Sequence, residues 1–335
     1  MNILIVGAGG FIGSHLCERI LEKYGDWNIT AVDISSEKID HLLHSKNFSF
    51  YKIDVLRNYN QLEEHIKNCD VVFPLAAIAN PLIYVQDPLR VFELDFESNL
   101  RIVKSSVKYE KRIIFPSTSE VYGMCSDSEF EEDSSNCVTG PICKQRWIYS
   151  CSKQMLDRVI YAHGIRDGLR YTLFRPFNWI GPRLDDIRNE NNGSSRVVTQ
   201  FLSNILHGKN ISLVDGGSQI RCFTYISDGI DALIKIIEND NADKQIFNIG
   251  NPRNQCSIKE LAKKILDFAQ KYDTLREKVQ KIQIVNTNSA EYYGKSYQDV
   301  QRRISSIRRA EDILGWKPMV DMDELLTRTM DFYFI

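Results

Sequence analysis

Tyr149 and Lys153, in the run YSCSK, stand four residues apart, so on a helix they share one face. An ammonium beside a phenol lowers its pKa from the ordinary value of roughly 10, and the phenol then serves as a base near neutral pH. Upstream, the run STSEVYG follows the apolar KRIIF directly. It places Thr118, Ser119 and Glu120 together at the end of what reads as a buried strand. With the glycine-rich start of the chain, a strand-end hydroxyl followed some thirty residues on by a Tyr–Lys pair suggests a dehydrogenase-like centre. A plain oxidoreductase needs only one hydroxyl there, so the second hydroxyl and the carboxylate call for a reason.

Hydride loss requires an acceptor, and the N-terminal run GAGGFIG offers a place for one. Gly7, Gly10 and Gly13 follow the apolar run NILIV and open a helix whose first residues are Phe11 and Ile12. Glycines there allow a tight turn and close approach to a pyrophosphate at the helix N-terminus. The spacing is GxxGxxG, that of short-chain dehydrogenases, and not GxGxxG. Asp33 closes the second strand, where a carboxylate accepts from the adenosine ribose hydroxyls and repels a 2′-phosphate, so NAD is expected rather than NADP. Asp54, in KIDV, is placed to meet the adenine edge, and Val55 and Ala76 at neighbouring strand ends complete the expected cofactor set.

The elements that must carry these residues are legible. Strands are predicted at NILIVGA, NITAVD, FSFYKIDV, DVVFPLAA, KRIIFPSTS and YTLFRPF, with helices between them at Phe11 to Lys23 and in a longer stretch from Pro88 to Tyr109. Strands and helices alternating at this spacing predict an α/β fold, a Rossmann-type doubly wound parallel sheet with a smaller α/β lobe. The expected division is a cofactor domain over 1–178, with returns near 222–250, and a substrate lobe over 179–221 and 251–335. Ser257 and Glu260 predict a capping box. The Gly- and Asn-rich run from Leu184 to Ser195 predicts a surface loop able to act as a lid.

Bulk properties narrow the partners. Forty-two basic residues against 44 acidic ones leave a net charge of -2, which gives no footprint for nucleic acid or an anionic membrane. No apolar stretch is long enough for a membrane helix, and the chain enters its first strand with no basic leader, so no signal peptide is expected. The eight cysteines are scattered without a CxxC pair. They read as mostly buried thiols in a reducing cytoplasm, and no metal site is expected.

On these motifs the chain resembles the extended short-chain dehydrogenase/reductase family of nucleotide-sugar epimerases, dehydratases and decarboxylases. RPFNWIGPR is similar to the family's bridge into the substrate lobe, and DGGSQIRCFTYISD to its diphosphate-binding segment. Longer stretches, RVFELDFESNLRIV, KQRWIYSCSKQMLDRVI and YYGKSYQDVQRR among them, resemble the UDP-glucuronic acid decarboxylases of polymyxin resistance. That resemblance implies oxidation of carbon 4 by NAD, loss of the carboxylate as carbon dioxide, and release of UDP-4-keto-pentose. It makes Thr118, Tyr149 and Lys153 the oxidising triad and Glu120 an acid/base residue, with Ser119 where a dehydratase has an acid. Arg303 matches the residue assigned as proton donor to carbon 5, although a guanidinium is a poor donor and suits orientation of substrate or water equally. Ala79, Tyr84, Arg146, Asn178, Ser195, Arg196, Asp215, Arg221 and Tyr297 would hold the sugar, uridine or diphosphate. Family members pair through two long helices, so a homodimer is implied.

Three other readings stand beside this one. A UDP-sugar 4-epimerase shares the triad, but Glu120 would be surplus in it. UDP-apiose/UDP-xylose synthase is similar in KQRW, RPFNWIGPR and VDGG, yet the two cysteines it uses match Ala79 and Ser119 here. A nucleotide-sensing protein on this fold would have lost the Tyr or the Lys. Reduction of the keto-pentose onward to UDP-xylose is left open by the sequence.

Overall fold

The computed structural model describes residues 1–189 and 195–335. Residues 190–194, part of the expected lid, lie outside the described residues. Runs rich in Val and Ile form seven parallel strands in the order Gln245–Ile249, Tyr171–Pro176, Arg112–Pro116, Val71–Pro74, Asn2–Val6, Asn28–Asp33 and Phe48–Lys52. Side chains alternate across the pleat. Ile3, Ile5, Ala31, Phe73 and Ile114 pack on one face with Leu16, Ile20 and Leu233. Leu4, Val6, Val32, Val72, Phe115 and Leu173 pack on the other with Leu62, Ile102, Leu156 and Ile160. Both faces are therefore buried, as a parallel sheet requires. The strand order reverses between Asn2–Val6 and Val71–Pro74, which opens a crevice at the strands' carboxyl ends, the usual ligand position in such sheets.

The helix after Pro88 contains an irregularity. Pro88–Phe92 passes through a π-helical turn, Glu93–Ser98, into Asn99–Lys108. Carbonyls left over by that turn are satisfied locally: Asn99 Nδ2 donates to the Leu94 and Asp95 carbonyl oxygens, both at 3.2 Å, and Ser98 Oγ donates to Leu94 O at 2.5 Å. Single π turns of this kind recur at functional sites. The helix carrying Tyr149 spans Trp147–Arg166.

Short strands build the rest of the site. Ile220–Cys222 pairs antiparallel with Gln255–Ser257 and parallel with Arg302–Arg303, in a register that sets Arg303 opposite Arg221. The capping box at Ser257 and Glu260 forms with both of its hydrogen bonds. Cys17, Cys69, Cys125 and Cys222 are buried, whereas Cys143 and Cys151 are exposed and Cys137 and Cys256 half-buried, so only half of the thiols match the expected burial. Among the described residues no helix is long and apolar enough to cross a membrane.

Candidate active site

The glycine turn is built for close approach. Gly7 has φ +88°, and a Cβ there would stand 2.5 Å from Ala76 N; one on Gly13 would stand 2.3 Å from Gly7 O. Ala76 is thereby brought against the turn from its own strand end. Gly10 is the N-cap of helix Phe11–Lys23 and makes no side-chain cap, so the amides at the helix start keep free donors. The motif reading passed over Gly9, where a Cβ would meet Ser35 O at 2.2 Å.

Asp33 does more locally than its sequence position implied. Its carboxylate accepts from Gly9 N at 2.9 Å, Ile34 N at 2.7 Å and Ser35 N at 3.2 Å, tying the glycine loop to the second strand. Burial nevertheless raises its pKa against those bonds. Asp54 accepts from Leu56 N at 3.0 Å, and Val55 beside it is buried. A close-approach glycine turn, uncapped helix amides and a carboxylate at the second strand end fit a dinucleotide.

At the other end of the crevice, strand Arg112–Pro116 delivers Thr118, Ser119 and Glu120. Glu120 is gripped twice: Arg146 Nη2 donates to Oε2 at 2.6 Å and Arg303 Nη1 to Oε1 at 2.5 Å. Its side chain is 13 % exposed. Burial alone would raise this carboxyl, but Arg146 and then Arg303 overcome it and hold the group at about 2. Arg303 Nη1 also reaches Ser119 Oγ at 3.5 Å. Arg146 Nε and Nη1 and Arg303 Nε are buried without a hydrogen-bond partner.

Arg221 lies beside Arg303 and pairs with Asp299 at 2.8 Å. Asp299 was not singled out from the sequence; its signal was a carboxylate two residues after Tyr297. Three buried arginines against Glu120 and Asp299 leave the pocket one positive charge in excess. Tyr297 packs within cation–π reach of Arg146, 5.4 Å from the guanidinium to its ring centre.

Tyr149 stacks on Tyr84, ring centres 4.7 Å apart, and hydrogen-bonds Thr118. Its phenol is held well above the ordinary tyrosine value, first by burial and then by the Asp95 carboxylate, with the Thr118 bond opposing. The expected acidifying contact with Lys153 is not made. Lys153 Nζ donates to Pro116 O at 3.0 Å and lies 4.0 Å from Asp95 Oδ1, 5.9 Å from the Tyr149 ring centre. Burial lowers the lysine pKa, while Asp95 and Asp157 support its charge. Asp95 is itself fully buried and pushed up to about 6 by desolvation, with Lys153 pulling the other way.

Not every expected residue joins this cluster. Asp215 is exposed and accepts from Ser289 N at 3.0 Å, which caps a neighbouring turn. Arg196 is committed to Asp185 at 2.7 Å and to Leu184 O at 3.1 Å, with Ser195 beside it. Asn178, at φ +42°, donates to Cys222 O at 2.8 Å. Ala79 is exposed in the segment leading to Tyr84.

The profile of the "NAD dependent epimerase/dehydratase family" matches residues 3–250. The structure is similar to the PbgP3 protein from Burkholderia pseudomallei, at 49% identity and TM-score 0.90, covering 99% of this chain and 96% of that one. UDP-glucose 4-epimerase from Thermotoga maritima, with UDP-glucose, matches at 25% identity and TM-score 0.79 over 99% of this chain and 98% of that one. UDP-glucuronic acid 4-epimerase from Bacillus cereus, in complex with UDP-glucuronic acid and NAD, shares the fold at 22% identity and TM-score 0.78, over 99% of this chain and 98% of that one.

Proposed function

Because the chain belongs to the NAD-dependent epimerase/dehydratase family, we propose that it oxidises UDP-glucuronic acid at carbon 4 and releases carbon dioxide, UDP-4-keto-pentose and NADH. One observation carries this reading: Glu120 is caged by Arg146 and Arg303, and Arg146 Nε and Nη1 and Arg303 Nε are buried there without a partner. Buried donors of that kind ask for an acceptor, and a uronic carboxylate is an acceptor of the right charge and shape for a guanidinium fork.

In this reading Thr118 and Tyr149 hold the carbon-4 hydroxyl, and Tyr149 takes its proton as a phenolate, the form that a protonated Lys153 would favour in the loaded site against the burial that disfavours it. NAD, when bound, supplies the hydride acceptor. The Gly7–Gly13 turn, Asp33, Asp54, Val55 and Ala76 hold that cofactor. A ketone at carbon 4 makes the substrate a β-keto acid, whose carbon–carboxylate bond breaks with its electron pair moving onto the carbonyl oxygen. No leaving-group acid is needed, so Ser119 suffices where a dehydratase places one. Tyr149, now protonated and disfavoured as a phenolate by burial, donates a hydrogen bond to the enolate oxygen. Glu120 is ionised across neutral pH and acts as a base or as an anchor for Arg146 and Arg303, with Arg303 orienting the group that returns a proton to carbon 5. Arg221 with Tyr297 takes the diphosphate end. The long helices through Pro88 and Tyr149 expose Leu89, Met155, Tyr161 and Ile165, which supports a homodimer through this face.

The test is an NMR time course of the protein with UDP-glucuronic acid and NAD, read together with NADH absorbance. Carbon dioxide with stoichiometric NADH and a hydrated 4-keto-pentose is the expected result. UDP-xylose without net NADH would mean that the ketone is retained and reduced. UDP-galacturonic acid with no carbon dioxide would overturn decarboxylation in favour of epimerisation.

A further inference from the structure

Lys153 is a buried ammonium, 1% exposed, and such a charge persists only where something balances it. Two carboxylates act on it, Asp95 and Asp157. Asp157 is already engaged: it accepts from Ser117 Oγ at 2.7 Å and from Arg175 Nη2 at 3.2 Å. Arg175 therefore neutralises it. Asp95 is different. One oxygen accepts from Ile78 N at 2.9 Å; the other, Oδ1, is buried with no hydrogen-bond partner and faces Lys153 Nζ at 4.0 Å. The remaining titratable groups acting across from it are phenols, Tyr149 on the helix of Lys153 and Tyr84 on helix Pro81–Gln86. The π-helical turn Glu93–Ser98 holds this carboxylate in place, and the Asn99 amide secures the turn by bonding the Asp95 carbonyl.

We propose that Asp95 is a positioning residue for the oxidation step: it is the dedicated countercharge that keeps Lys153 protonated beside Tyr149. The same charge opposes the phenolate, so the site trades a less acidic tyrosine for a lysine that stays cationic in a dry pocket. Protonated Asp95 would lose the first function, as would an amide in its place. The inference rests on Tyr149 and Lys153 as the oxidising pair, which the epimerase and decarboxylase readings share, and not on loss of carbon dioxide.

The deciding measurement is the titration of the Lys153 side-chain methylene in [6-13C]lysine-labelled full-length protein with NAD bound, its signal identified by loss in Lys153→Met. Asp95→Asn retains an oxygen for Ile78 N–H and removes the charge. The Lys153 midpoint is expected to fall by about one to three pH units in this variant, and the alkaline limb of kcat on UDP-glucuronic acid to move down with it while KM holds. An unchanged midpoint, or a kcat lowered equally at every pH, would overturn the proposal. If Asp95→Asn does not fold, coupling is reciprocal: the 13C-labelled Asp95 carboxyl in Lys153→Met should titrate higher than in the wild type, and an unmoved carboxyl refutes the pairing. Neither titration needs a sugar substrate, so a protein inactive on UDP-glucuronic acid would refute the proposed function and still decide this point.

Discussion

Replacing Glu120 by Gln removes the single charge between two arginines that are 1% and 9% exposed. A carboxyl held at about 2 in place of its usual 4.5 represents about 3 kcal/mol of stabilisation, and breaking a buried ion pair by removing one partner costs a similar 3–5 kcal/mol, roughly. Because the folded pKa is depressed, this stability is fully present above the unfolded carboxyl's pKa and is lost as pH falls through the folded one. The difference between wild type and Glu120→Gln should therefore be largest near pH 7 and shrink between about pH 4.5 and pH 2. At roughly 2 °C per kcal/mol for a chain of this size, scanning calorimetry at pH 7 should show Tm lowered by about 6 °C. UDP-glucuronic acid, which brings its own carboxylate to the stranded guanidinium groups, should recover more of that loss than UDP-glucose does. Turnover should fall by at least about a hundredfold. A variant as stable as wild type at pH 7, or one stabilised equally by the two sugars, would refute the account of the Arg146–Glu120–Arg303 cage.

Tyr149→Phe keeps the ring stacked on Tyr84 and deletes only the hydroxyl that bonds Thr118. Single-turnover NADH formation should drop by about 10²- to 10⁴-fold while calorimetric binding of UDP-glucuronic acid stays near the wild-type value; turnover near the wild-type rate would remove Tyr149 from the chemistry. Gly13→Ala would force a Cβ to within 2.3 Å of Gly7 O and 2.8 Å of Ala8 Cα. Backbone must move, at about 1–3 kcal/mol, and NAD affinity measured by fluorescence quenching should weaken roughly tenfold or more, with an unaltered Kd counting against the close-approach turn.

The sequence by itself determined what depends on near neighbours in the chain. The glycine turn, the Tyr149–Lys153 spacing, the alternating strand and helix pattern and the Ser257 capping box all follow from local periodicity and backbone sterics, which act within a few residues. Glu120, Arg146 and Arg303 were legible as individuals through the resemblance, but their union was not: Arg303 lies 183 residues from Glu120, and its arrival depends on the pairing of Arg302–Arg303 with Ile220–Cys222. Asp95 left a signal that went unread. It stands four residues after Val91 and seven before Ile102, both buried, where a carboxylate is out of place. What only the tertiary structure decided is the electrostatics. Whether Lys153 acidifies Tyr149 or turns toward Asp95, and whether Glu120 is neutral or held ionised, depends on burial and on charges brought from distant segments, because the energy of a charge is set by its surroundings in space and not by its neighbours in the chain.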